Sequence, residues 1–367
     1  MNDSTRGISL AFCLHGDNSV KDRCFTPGMA QHLGDDLDLP LIAMSQSMGE
    51  HGIACHTLDY AAIEAFGGFV WFEMPPESDA VLQYAMRSSK PRFLIVAENH
   101  FIWKGNDDVS RFGQFTAVFT YNDNLAGRGN VFKLNYARTF SLLDVTGIDF
   151  NGRKLACMIS SLVKKNRPHL CSYMRVQAAR FYEENHPGSF DLYGPKWDNG
   201  TFLLQEYPNV YKWLHAFRLN KLLPRRKYTH CWKGTINDRK RATIGRYKFS
   251  YCYENTVEIP GYITEKIFDV MMAGTVPIYL GHPSTSGYIP KDCYIDRADF
   301  RDDAELYSFI STMKEEEWRK YLDAARDFMT GAVNGPFSIP AYVKTLCDVI
   351  VPAMKSQTEN SGEGGVS

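Results

Sequence analysis

Residues 246–281 read RYKFSYCYENTVEIPGYITEKIFDVMMAGTVPIYLG, and the fold turns on this stretch. Phe249–Tyr253 is an apolar run of strand length, and Glu254-Asn255-Thr256 closes its carboxyl end with polar groups. Pro260-Gly261 makes a turn. A helix is predicted to start near Thr264, a good N-cap residue, with Glu265 in the first turn where negative charge suits the dipole. Ile267, Phe268, Val270 and Met271 give it a broad apolar face, Ala273-Gly274 ends it, and Val276–Leu280 is the next strand. A strand–loop–helix–strand unit of this kind puts a helix N-terminus and Lys266 at the carboxyl edge of a parallel sheet. Phosphate-bearing ligands bind at such edges, although a ligand-free βαβ unit fits this physics equally well.

The same alternation extends outward. Gly7–Cys13, Gly68–Phe72, Arg92–Ala97 and Phe115–Tyr121 read as buried strands, with a helical stretch at Asp79–Arg87. After a turn-rich region at 144–154 come a strand at Leu155–Ser160 and a long helix carrying Met174, Val176, Ala178, Ala179, Phe181 and Tyr182. Another strand follows at Phe190–Gly194. Strands alternating with helices predict an α/β protein. The expected division is residues 1–150 as one Rossmann-like domain and 151–345 as a second. Residues 346–367 form a C-terminal end, its tail KSQTENSGEGGVS from Lys355 being polar, Gly/Ser-rich and expected to be disordered.

With 41 Lys and Arg against 42 Asp and Glu in 367 residues, and 44% hydrophobic residues, the chain reads as a soluble globular protein. Its near-neutral charge argues against coating nucleic acid. No apolar run has the length of a bilayer span or of a signal peptide, so a cytoplasmic protein is expected. Nine scattered cysteines without a CxxC pair predict buried, reduced thiols. P-loop, GxGxxG, HExxH and GxSxG signatures are absent. Asp36-Leu-Asp38 has the form of a metal-binding DxD but lies in the polar run GDDLDLP, which favours a solvated loop.

Tyr-x-Phe-x-x-x-x-Glu-Asn, Gly-Tyr-Ile-Thr-Glu-Lys-Ile and Ala-Gly-Thr-Val-Pro-Ile-Tyr-Leu-Gly, in this order within 246–281, resemble the donor-binding signature of family-10 α-1,3-fucosyltransferases. Weaker similarity runs from about residue 155 to 310, through Phe190–Gly194, Pro283-Ser284, Tyr288–Pro290 and Asp299-Phe300. The resemblance implies a GT-B fold, two Rossmann-like domains facing across a cleft, and inverting transfer of L-fucose from GDP-fucose to a hydroxyl of a saccharide. It implies an α-1,3 linkage to GlcNAc or Glc of a lactose- or N-acetyllactosamine-type glycan, with no obligatory metal and at most stimulation by manganese or magnesium. Carried over residue by residue, it makes Lys266 a diphosphate contact and Glu265 a partner of ribose or fucose hydroxyls. Glu254 and Asn255 would touch the fucose or order the loop, and Tyr262 would lie along the donor. A second phosphate cation is expected on the helix after the Leu155 strand, from Arg175 or Arg180, with Arg175 preferred.

Such a transfer needs a base for the acceptor proton. Glu98 directly follows the strand Phe93–Ala97 and matches the family's glutamate, although Asn99-His100 departs from the Ser-Pro form. His100 is the rival base. Residues 221–248 hold ten Lys and Arg against Asp238 alone. They read as a solvated loop beside a phosphate site, with peripheral contact to an inner membrane surface as the other reading. Two other functions remain open: a GT-B transferase using another nucleotide sugar, and a non-catalytic nucleotide-sugar-binding protein.

Overall fold

The computed structural model describes residues 8–15, 19–28, 36–140, 147, 149–162, 171–197, 208–217, 219, 231–236, 239–332 and 335–362. The chain divides into two units, Met1–Phe140 with Gly331–Ser367, and Ser141–Thr330.

In the first unit the strands are β1 (Ile8–Cys13), β2 (Ile53–Thr57), β3 (Gly68–Phe72), β4 (Arg92–Val96), β5 (Ala117–Thr120) and β6 (Val131–Lys133). They form one parallel sheet in the order β2-β1-β3-β4-β5-β6. Parallel strands need crossover connections, and helices α1 (Leu39–Glu50) and α2 (Ala80–Arg87) supply two of them. Asp79 caps α2 by accepting the Leu82 N–H at 2.7 Å. The core gathers Leu10, Phe12, Val70, Phe93, Ile95 and Phe119 from the strands with Met44 and Met48 from α1.

In the second unit the strands are β7 (Lys154–Ile159), β8 (Phe190–Tyr193), β9 (Tyr247–Tyr253), β10 (Val276–Leu280) and β11 (Ile295–Asp296), again all parallel, in the order β11-β10-β9-β7-β8. The helices are α3 (Cys171–Asn185), α4 (Pro208–Ala216), α5 (Lys240–Ile244), α6 (Glu265–Met272), α7 (Asp303–Thr312) and α8 (Glu315–Ala332), the last running two residues into the first unit. Trp318 of α8 is fully buried and donates its indole N–H to the Lys248 carbonyl at 2.9 Å. Gly274, at φ 65°, supplies the left-handed residue that ends α6 and releases β10.

The division between units differs from the expected one. The boundary falls at 140/141 instead of 150/151, and residues 331–345 belong with the first unit. Residues 355–362, the first part of the tail read as disordered, instead continue helix α9 (Ile339–Gly362), which packs on α1. Its Leu346, Ile350 and Met354 are buried in the first core. They recur every four residues, which is the helical period. Met354 explains Gly68 at the start of β3, where a Cβ would lie 2.5 Å from the methionine sulfur. All nine cysteines are free and buried. Among the described residues no helix is long and apolar enough to cross a membrane.

Candidate functional site

In each sheet the chain order reverses beside its first strand, between β1 and β3 in one unit and between β7 and β9 in the other. The carboxyl ends of such strands are where open α/β sheets bind ligands. In the second unit the residue there is Glu254, which follows β9 and is fully buried. Its carboxylate accepts four hydrogen bonds: Oε1 from the Thr264 N–H at 2.8 Å and the Tyr279 hydroxyl at 3.2 Å, Oε2 from the Thr264 hydroxyl at 2.7 Å and Lys266 Nζ at 3.2 Å. An isolated buried carboxylate would be costly; this one has an ammonium and three neutral donors around it.

Thr264 is the N-cap residue of α6, as expected, but its side chain does not cap. Its hydroxyl is committed to Glu254 and accepts from Lys266 Nζ at 2.8 Å. Lys266 is 22% exposed and lies 3.8 Å from Glu265 Oε1. Burial pulls its pKa down, yet Glu254 and Glu265 more than offset this and hold it above the ordinary lysine value. It is a fixed cation with one side toward solvent.

Arg175 of α3 is buried, and one guanidinium nitrogen donates to the carbonyls of Tyr253 and Glu254 and to Asn255 Oδ1. The other nitrogen donates to Ser160 Oγ at 3.1 Å, just beyond β7. Burial lowers its pKa, but an arginine stays charged. Asn255 Nδ2 donates to the Tyr262 hydroxyl at 3.1 Å, and Tyr262 is itself buried. The structure therefore brings Arg175, Glu254, Asn255, Tyr262, Glu265 and Lys266 together. Arg180, five positions further along α3, points about 140° round the helix from Arg175 and so does not share its face.

Sequence reasoning passed over Thr264 as a ligand, Tyr279 and Ser160, as well as the pairing of Lys240 and Arg241. Lys240 of α5 lies 2.9 Å from Asp269 and 4.0 Å from Glu265, and Arg241 lies 3.5 Å from Asp269, a fully buried residue of α6. Of the basic residues in 221–248, 221, 225, 226 and 227 fall outside the described residues, whereas Lys233 pairs with Asp191 at 3.3 Å and Lys248 lies over the Phe150 ring.

In the first unit Glu98, half-buried, lies two residues beyond β4. Its backbone is held on both sides. Its N–H donates to Glu73 Oε1 at 2.9 Å, and its carbonyl accepts from Asn106 Nδ2 at 2.8 Å. The preceding Ala97 carbonyl accepts from the Tyr136 hydroxyl. Asn99 is fully buried, and its Oδ1 accepts the N–H groups of Phe101 and Ile102, which is an Asx turn. That turn occupies the place of the Ser-Pro form. The His100 ring lies tilted at 45° against that of Phe101, with 3.9 Å between centroids.

Glu73, which follows β3, was not singled out from the sequence. It is buried, and burial together with the charge of Glu98 raises its pKa to about 7 against the pull of its hydrogen bonds. The signal that marks Glu98 also marks Glu73, since GFVWFEMPP likewise ends an apolar strand in a carboxylate. Asp38, read as part of a solvated loop, is buried and accepts the Gly28 N–H. Among the described residues no group of three or more His, Cys, Asp and Glu is placed to hold a metal ion.

Residues 209–360 match the model of the C-terminal domain of glycosyltransferase family 10 (fucosyltransferase). Mouse 4-galactosyl-N-acetylglucosaminide 3-alpha-L-fucosyltransferase 9 is 29% identical over 135 residues, which is 35% of this chain and 36% of that protein. The alpha-(1,3)-fucosyltransferase FucT of Helicobacter pylori is 34% identical over 96 residues, 26% of this chain and 20% of that one. The matched segments thus span between a fifth and about a third of those relatives. A solved structure of an alpha1,3-fucosyltransferase superposes with a TM-score of 0.54 at 15% identity, covering 97% of this chain and 92% of that one. A structure of an alpha1,3-fucosyltransferase with GDP-fucose gives 0.52 at 13%, covering 94% and 90%. The two parallel α/β units have the GT-B fold of these solved structures, and residues 209–360 are similar to the C-terminal domain of family 10.

Proposed function

We propose that this protein transfers L-fucose from GDP-fucose to a hydroxyl of a saccharide with inversion at the anomeric carbon, forming an α-1,3 linkage to GlcNAc or Glc of a lactose-type glycan. The observation that carries the reading is the pairing of Glu254 with Lys266 at the start of α6, inside the stretch that matches family 10. Lys266 is the cation offered to a diphosphate, next to the helix N-terminus, where an anion meets the positive end of the dipole. Arg175 stands behind it, tying down the loop after β9 and adding positive charge; Arg180 is the weaker candidate because it lies on another face of α3. Asn255, Tyr262 and Glu265 supply polar groups for ribose and fucose. This arrangement neutralises charge as the bond from the anomeric carbon to the diphosphate oxygen breaks. The acceptor oxygen forms the new bond, and its proton passes to Glu98, the assigned base, with His100 as the alternative. Lys266 and Arg175 supply the charge that a bound cation would otherwise provide, so no metal is required in this reading.

The test is GDP release on incubation with GDP-fucose and a panel of lactose-type acceptors, with and without chelator. Acceptor-dependent GDP release that persists in chelator is expected. Release from a different nucleotide sugar alone would identify another transferase, and binding without release would identify a non-catalytic protein.

A further inference from the structure

The peptide that carries Glu98 is organised by a second carboxylate. Glu73 Oε1 accepts the Glu98 N–H at 2.9 Å, and Oε2 accepts Asn106 Nδ2. Asn106 also donates to the Glu98 carbonyl, and its Oδ1 accepts the Met74 N–H at 2.8 Å. Glu73, Asn106 and the Glu98 backbone thus form a closed hydrogen-bonded unit joining the ends of β3 and β4. Glu73 adopts φ 72°, the left-handed region. A residue with a Cβ is strained there, and such strain persists where the surroundings over-determine it, characteristically at functional sites.

We propose that Glu73 is the positioning residue for Glu98, holding the backbone on either side of it so that the half-exposed Glu98 carboxylate is presented in one place. The proposal rests on the reading of Glu98 as the base. Glu73 is unsuited to be the base itself, because it is buried and each of its oxygens already accepts a hydrogen bond. A carboxylate beside a second carboxylate is electrostatically unfavourable, and burial adds to the cost. Only a carboxylate, however, accepts at both oxygens. A glutamine of the same shape would turn its NH₂ onto the Asn106 amide or the Glu98 N–H, placing donor against donor.

The experiment measures acceptor-dependent GDP release and GDP-fucose affinity for Glu73→Gln, Glu98→Ala and the double variant, with melting curves to confirm folding. Glu73→Gln is expected to lower kcat by roughly 10–100-fold at unchanged GDP-fucose Kd, the scale of a base displaced by about an ångström. In the Glu98→Ala background the same substitution is expected to change kcat less than about twofold, because Glu73 acts through Glu98. Asn106→Ala, which cuts the hold from the other side, gives the same readout should Glu73→Gln fail to fold. An inactive Glu98→Ala beside a fully active Glu73→Gln, or beside a fully active Asn106→Ala, overturns the positioning role and leaves the base assignment standing. An equal loss from Glu73→Gln with and without Glu98 also overturns it. Full turnover in Glu98→Ala overturns the base assignment, and the positioning role falls with it.

Discussion

Two buried glutamates stand at equivalent places in the two units, Glu254 beyond β9 and Glu73 beyond β3, and they are stabilised in opposite ways. Glu254 has an ammonium 3.2 Å away and hydroxyl and N–H donors at its other positions. Glu73 has neutral donors and, instead of a cation, a neighbouring carboxylate, and its pKa rises to about 7. The difference teaches what each edge is built for. An ion pair with one face toward solvent keeps a fixed positive charge available to an anion, whereas a carboxylate ringed by N–H donors fixes the backbone that carries Glu98.

The contrast breaks most visibly in turnover. Glu98→Ala is expected to lower acceptor-dependent GDP release by roughly 10²–10⁴-fold, the usual contribution of a general base. A loss of only a few-fold would remove Glu98 from the chemistry and make His100→Ala the next variant. In the other unit, Lys266→Ala leaves Glu254 buried without its ammonium. Breaking a buried pair from one side costs about 3–5 kcal/mol, read as a lower denaturant midpoint at unchanged slope. A midpoint equal to that of the parent protein would show that the three neutral donors suffice.

The third expectation concerns pH. Because the folded state raises the Glu73 pKa from 4.5 to about 7, the folded protein holds this proton more tightly than the unfolded chain. Its contribution to stability is therefore complete below pH 4.5 and is lost as the pH rises through about 7. At about 1.4 kcal/mol per pKa unit the full loss is about 3.5 kcal/mol. Unfolding of Glu73→Gln compared with the parent at about pH 4.5 and about pH 8 should show the difference moving in favour of the variant by up to that amount. A pH-independent difference would place Glu73 in ordinary carboxylate surroundings. Last, saturating GDP-fucose should raise the melting temperature, with about 2.7 kcal/mol of added stability at a hundred times Kd. A melting curve unmoved by GDP and GDP-fucose but shifted by another nucleotide sugar would reassign the donor.

How much of this was legible in the sequence differs between the two edges. The unit from β9 through α6 to β10 was readable almost to the residue, since its strands are continuous apolar runs and its helix has clear punctuation. The placing of Lys266 and Glu254 followed from the same stretch. β2 escaped because HGIACHT alternates buried and exposed positions and carries a histidine, and β6 because it has three residues. The return of α9 to the first unit is a long-range fact that local pattern does not encode, although the four-residue spacing of Leu346, Ile350 and Met354 marked a helix. Thr264 illustrates the same limit inside the site. Propensity identifies it as an N-cap residue, but only the fold shows that its hydroxyl serves Glu254 instead of the helix. Glu73 was not legible because what distinguishes it, burial and a hydrogen bond from the Glu98 N–H, joins residues 25 positions apart, which local pattern does not encode.

In the proposed reaction the donor is held by the edge carrying Lys266 and the proton is taken at the edge carrying Glu98. The most direct test of this division is the equilibrium affinity for GDP-fucose of Glu98→Ala and Lys266→Ala, measured by titration calorimetry. An affinity within about twofold of the parent is predicted for Glu98→Ala, and a loss of at least about 30-fold, or about 2 kcal/mol, for Lys266→Ala. Unchanged affinity in Lys266→Ala, or an equal loss in both variants, would contradict it.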